Sequence, residues 1–175
     1  MAKVAFSKLG LKKTDETSIV NVNGIDIEVK HYLPINDKLI LITNVMNQAI
    51  NADSTFKNPV KIELFGSLAI IEAYTNLSFT EKQKEDPCKL YDLLDTNGVF
   101  DTIFPVIPQE EYEFVIEGID SSMDAFYNYQ NSIMGILDRI STDYSNLDMD
   151  AANIQSKIAD PQNLELLKNI MSKLG

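Results

Sequence analysis

The chain has one histidine, His31, and one cysteine, Cys88. Any Ser-His or Cys-His nucleophile pair must therefore draw on His31, since imidazole is the usual base of such systems. His31 follows a strand-like run and stands beside Tyr32, a setting that reads as a partly exposed strand end. Cys88 lies near a helix start, where the dipole favours a thiolate, but neighbouring Asp86 opposes that effect. A structural thiol, packed or half exposed, is expected. One Cys and one His cannot make an internal disulfide or a zinc site of the usual Cys/His type.

Carboxylates offer little more. Glu110-Glu111 and Asp148/Asp150 are acidic pairs without the surroundings of a carboxylate mechanism. The stretch Asp95 to Asp101 places Gly98 fourth, whereas a calcium EF-hand loop needs its glycine sixth. Neither a G-x-x-x-x-G-K-[ST] loop nor a G-x-G-x-x-G turn is present, so there is no recognisable phosphate or dinucleotide cradle. No catalytic, cofactor-binding or metal-ligating residue is assigned, and the expectation is a non-enzymatic protein. A carboxylate-based hydrolase is the rival from another class.

Charge narrows the partners. The net charge is −11, which opposes nucleic-acid binding because phosphate repulsion works against counterion release. Tyr127 and Tyr129 have no interleaved basic residues, as an aromatic nucleic-acid platform would. Lys3, Lys8, Lys12 and Lys13 precede the first acid, Asp15, leaving 11 of the 15 basic residues against 26 acidic ones, or −15, on the remainder. The polarity is a basic arm on an acidic body. No apolar run reaches the roughly 18 residues of a membrane span, and the start lacks a secretory h-region. No membrane partner and a cytoplasmic site of synthesis are expected.

The elements that hold these residues read as a mainly α fold with a short N-terminal β-hairpin, in the α+β class. It should be a helical bundle with an extended arm (1–17), a hairpin-plus-helix domain (18–143) and a C-terminal helical tail (144–175). In the arm, Ala2, Val4 and Phe6 alternate with Lys3, Ala5 and Ser7 as in a short strand. It can fray or add itself to a neighbouring subunit. Period-two alternation over Ser18 to Lys30, interrupted by Asn23-Gly24, predicts a hairpin with a type I′ turn.

Helical spacing then takes over. Leu39, Ile42, Val45, Met46, Ala49 and Ile50 predict one buried face after Pro34. Asn58-Pro59 opens a second, central helix, carrying Ile62, Phe65, Leu68, Ala69, Ile71 and Ala73. Thr80 with Gln83 forms a capping-box pattern, Asp86-Pro87 is another helix start, and Asn97-Gly98 is a stop. Pro108 begins the longest helix, expected to run to about Ile140 with a near-heptad seam of Tyr112, Val115, Ile119, Met123, Phe126, Ile133, Leu137 and Ile140. In the tail, Asp160-Pro161 starts a last helix striped by Leu164, Leu167, Ile170, Met171 and Leu174.

Three segments carry a resemblance: Val22-Asn23-Gly24-Ile25-Asp26-Ile27-Glu28-Val29-Lys30-His31-Tyr32-Leu33-Pro34, Asn58-Pro59-Val60-Lys61-Ile62-Glu63, and Ala73-Tyr74-Thr75-Asn76. Together with the order of elements they resemble small acidic morphogenesis proteins of tailed bacteriophages that infect low-GC Gram-positive bacteria. The resemblance implies a protein in the host cytoplasm or the virion that binds other phage structural or assembly proteins. It implies either a tail assembly chaperone or a permanent virion subunit (head auxiliary, connector or neck protein). The chaperone is expected first, because an acidic helical body with exposed seams suits covering aggregation-prone surfaces, and a small regulator or inhibitor is a further alternative. Homo-oligomers fit each case. The expected partner-binding residues are Lys3, Phe6, Lys8, Lys12 and Lys13 in the arm and Leu164, Leu167, Ile170 and Met171 in the tail.

Overall fold

The fold is seen in a computed structural model, which describes residues 3–12, 15–50 and 56–146, with backbone alone for 143–146. The tail residues Leu164, Leu167, Ile170 and Met171, and Lys13 in the arm, lie outside the described residues. Two compact units are present, Met1–Asn128 and Tyr129–Gly175.

The expected α+β class is observed, mainly helical with one antiparallel hairpin. Strands β1 (Thr17–Val22) and β2 (Ile25–Lys30) pair in register from Thr17 opposite Lys30 to Val22 opposite Ile25. Asn23 at φ 51° and Gly24 at φ 83° make the turn, the conformation that Asn-Gly tolerates best and that matches strand twist. Period-two packing follows: Ile27 and Val29 are buried, Val20 and Val22 pack against the same core, and Asn21, Asp26 and Glu28 face out.

Helix α1 (Ile35–Ala49) follows Pro34. Its buried stripe is Lys38, Leu41, Ile42, Val45 and Ala49. Leu39, expected inside, is exposed, because the stripe is centred one position away and takes in the lysine at 38. Helix α2 (Pro59–Tyr74) starts where Asn58 accepts from the Val60 and Lys61 amides with Pro59 in the first turn. It buries Leu68, Ile70, Ile71 and Tyr74 and packs on α1.

Both candidate starts that follow are used. Thr80 and Gln83 close a capping box on α3 (Glu81–Lys84), and Asp86 caps α4 (Pro87–Thr96) through the Lys89 amide. Gly98 at φ 65° then turns the chain into α5 (Val99–Ile103), which lies against β1. Tyr91, Phe100, Phe104 and Tyr112 form a chain of rings with centroids 5.0, 5.2 and 5.6 Å apart. This ladder ties α4 and α5 to α6 (Gln109–Gln130).

The long helix corrects the expectation. It stops at Gln130, and α7 (Ile133–Asn146) begins anew. Ser132 makes the break: its hydroxyl donates to the Tyr129 carbonyl (2.7 Å) and accepts from the Gly135 amide (3.1 Å), as an N-cap does. A Cβ on Gly135 would stand 2.2 Å from the Tyr129 carbonyl oxygen, so glycine is needed for this turn. Of the expected seam Val115, Ile119 and Met123 are buried, Tyr112 and Phe126 only half-buried, and Ile133, Leu137 and Ile140 exposed, while Tyr127, outside that seam, is buried in place of Phe126.

Two helices meet closely at Gly118, where an added Cβ would come 2.6 Å from Cδ1 of Ile42. The helix-weakening glycine is thus explained by packing of α6 on α1. Among the described residues no helix is long and apolar enough to cross a membrane.

Candidate protein-binding surfaces

The described part of the arm, Lys3 to Lys12, lies open along its length. Phe6 is 77% exposed, and Val4, Leu9 and Leu11 are exposed with it, interleaved with Lys3, Lys8 and Lys12. The strand expected here is a 3₁₀ turn, Phe6–Leu9, held by the Lys8 amide on the Ala5 carbonyl (3.0 Å) and ended by Gly10 at φ 60°. A lone extended segment has no ladder partner, so a local turn satisfies more of its backbone.

The two edges of the hairpin differ. On β2, Asn76 donates its amide to the Glu28 carbonyl (3.2 Å) and accepts the Glu28 amide on its side-chain oxygen (3.1 Å), while Thr75 bridges Val29. That edge is closed by the chain after α2. Because Glu28 turns its amide and carbonyl outward, so does its opposite residue Ile19 and, by alternation, Thr17 and Asn21. No described backbone group pairs with these three along the outer edge of β1.

A cleft of about 530 Å³ opens beside the hairpin, with Glu16, Glu28 and Asp37 against Lys30 and with Tyr32 and Pro34 on its wall. A second hollow, about 490 Å³, lies between α1 and α2 and is floored by Leu33, Leu41, Leu68 and Leu90; the Lys84–Glu72 ion pair (2.7 Å) sits on its rim.

Behind these surfaces is a buried polar knot absent from the sequence-level expectation. Lys38, 6% exposed, donates to Glu111 Oε1 at 2.7 Å and lies over the Tyr32 and Phe114 rings at 5.0 and 4.7 Å. Glu111 Oε2 accepts from the Tyr74 hydroxyl (3.1 Å) and the Leu33 amide (3.2 Å). Burial, and then the Glu111 charge, push the Tyr74 hydroxyl well above the usual phenol range. The knot fixes the exit of the hairpin to α1, α2 and α6. Its one sequence signal was the helical spacing of Lys38 with Leu41, Ile42 and Val45.

His31 has more partners than its sequence position suggests. Its Nε2 is 2.7 Å from Ser18 Oγ, and Nδ1 is 3.9 Å from a Glu16 carboxylate whose side chain is well exposed. The order Ser-His-Glu resembles a triad, but 3.9 Å exceeds a hydrogen bond and water screens the acid. Neither Ser18 nor His31 lines either cleft. The pair ties β1 across to the residue after β2. Cys88 is exposed on the first turn of α4. Among the described residues no group of three or more His, Cys, Asp or Glu side chains could hold a metal ion.

No protein-family model, curated protein or solved structure matches this chain.

Proposed function

We propose that this chain is a non-enzymatic bacteriophage assembly protein that works by binding other proteins, as a tail assembly chaperone. The observation that carries the reading is the arm: four large apolar side chains held in water among lysines, on a body of opposite charge. Such residues outside a core are recognition groups awaiting a partner surface. The resemblance of the hairpin segment, of Asn58 to Glu63 and of Ala73 to Asn76 to phage morphogenesis proteins supplies the setting. The exposed apolar residues Ile133, Met134 and Leu137 of α7 offer a second binding stripe.

A permanent virion subunit is the alternative, favoured by the open strand edge of β1, which suits a lasting backbone-paired joint. The test is pull-down of tail-tube and tape-measure proteins by the full chain, with mass spectrometry of purified virions. Capture with absence from virions supports the chaperone, stoichiometric presence supports the subunit, and neither capture nor presence rejects both.

A further inference from the structure

The hairpin presents one closed edge and one open edge, and the open edge has a fitting strand in the same sequence. We infer that the outer edge of β1 receives the N-terminal arm of a second copy of this chain as an added strand. The inference deepens the binding role proposed above by naming the chain itself as one partner.

Three observations carry it. Thr17, Ile19 and Asn21 direct amide and carbonyl groups outward at every second position, which an extended segment of about five residues would match. Lys3 to Ser7 has the sequence of such a segment, alternating in the same period, and becomes one when the 3₁₀ turn that starts at Phe6 opens.

Coverage of the inner face is unequal. Ile27 and Val29 on β2 are buried, whereas Ser18, Val20 and Val22 on β1 are half-buried. The apolar layer therefore stops short at the open edge. An added strand that places Lys3, Ala5 and Ser7 outward sets Val4 and Phe6 beside Val20, extending that layer.

Charge selects the occupant. The arm has lysines and no acid before Asp15, while the outer hairpin face carries Asp26 and Glu28 with Glu16 at its end, against one cation, Lys30, whose ammonium turns to the Ala73 carbonyl. These groups fall within about one Debye length, ~10 Å at 0.1 M salt, of a strand laid on the edge. In its own chain the arm makes no backbone hydrogen bond to β1 among the described residues. Its 3₁₀ turn is a single short one, Phe6–Leu9, that buries no residue, so opening it uncovers no core against three outward positions gained.

The test is sedimentation velocity of the full chain over a wide concentration range, joined to hydrogen exchange at the amides of Thr17, Ile19 and Asn21. Expected is concentration-dependent self-association, with those amides protected only in the associated form. Deleting residues 2–12, or making Val4→Asp with Phe6→Asp, should weaken association by roughly tenfold or more. Ile19→Pro removes an outward donor without removing a β1–β2 hydrogen bond and should do the same. Should that proline unfold the hairpin, the arm variants, which leave the body untouched, still decide.

A chain that stays monomeric throughout overturns the inference, as does association that survives loss of the arm. Protection of the three amides in a monomer also overturns it, by showing that the arm folds onto its own edge. Self-association through the arm without capture of tail proteins upholds this inference and rejects the chaperone reading; capture without self-association does the reverse.

Discussion

The Lys38 ammonium and the Glu111 carboxylate lie 2.7 Å apart with both side chains largely removed from water. Lys38→Met leaves Glu111 buried without its cation, although Tyr74 and Leu33 still donate to it. Breaking a buried pair from one side costs about 3 to 5 kcal/mol. Urea unfolding should show a fall of that size, and Lys38→Met with Glu111→Leu should recover part of it. A midpoint unchanged by the single substitution would contradict the burial assigned to the pair.

Tyr74 gives a pH dependence. Burial beside Glu111 raises its folded value above that of an ordinary phenol, so the neutral phenol is favoured by the fold. The stabilisation is fully present below about pH 10, where the unfolded chain's tyrosine is also neutral. It is lost as pH rises from there toward the folded value. Stability should therefore fall above about pH 10 more steeply in the native chain than in Tyr74→Phe. Absorbance titration should find one of the seven tyrosines ionising only with unfolding; simultaneous early titration of all would refute it.

Gly118 sets helix propensity against packing. Alanine gains about 1 kcal/mol in an exposed helix, but here its Cβ meets Ile42 Cδ1 at 2.6 Å. Overpacking costs about 1 to 3 kcal/mol, so Gly118→Ala should be neutral to destabilising. Ile42→Val removes the offending methyl and should restore stability in that background while lowering it in the native chain. Additive effects in thermal melts would contradict the contact.

Along α6, Met123→Ala should cost about 2 to 5 kcal/mol, since its side chain is fully buried. Phe126→Ala should cost less because the ring is only half-buried. Equal losses would place the seam where the heptad spacing predicts it.

Much of the body was legible because local chemistry decides it. Asn23-Gly24 specifies its turn, Asn58-Pro59 and Asp86-Pro87 start helices, and Asn97-Gly98 stops one, each through backbone preferences carried by the named residues. Long-range pairing was not legible. Apolar spacing continued through Gln130, but the Ser132 cap ended the helix, and period alone cannot see a hydroxyl returning to a carbonyl. Lys38 entered the core because Glu111, 73 residues away, meets it there. Ser18 and His31 likewise became neighbours only through the hairpin register. For the expected binding residues, exposure of Lys3, Phe6, Lys8 and Lys12 is a finding, and their role is the proposal.

Most direct for the central claim is binding of the full chain and of a form lacking residues 2–12 to tail-tube and tape-measure proteins at low and moderate salt. The predicted result is capture by the full chain, weakened in the shortened form although its thermal midpoint is nearly unchanged. The difference should be greatest at low salt, where the lysines are least screened. Equal capture by both forms, each folded, would contradict a binding role for the arm, and no capture by either would contradict the proposed function.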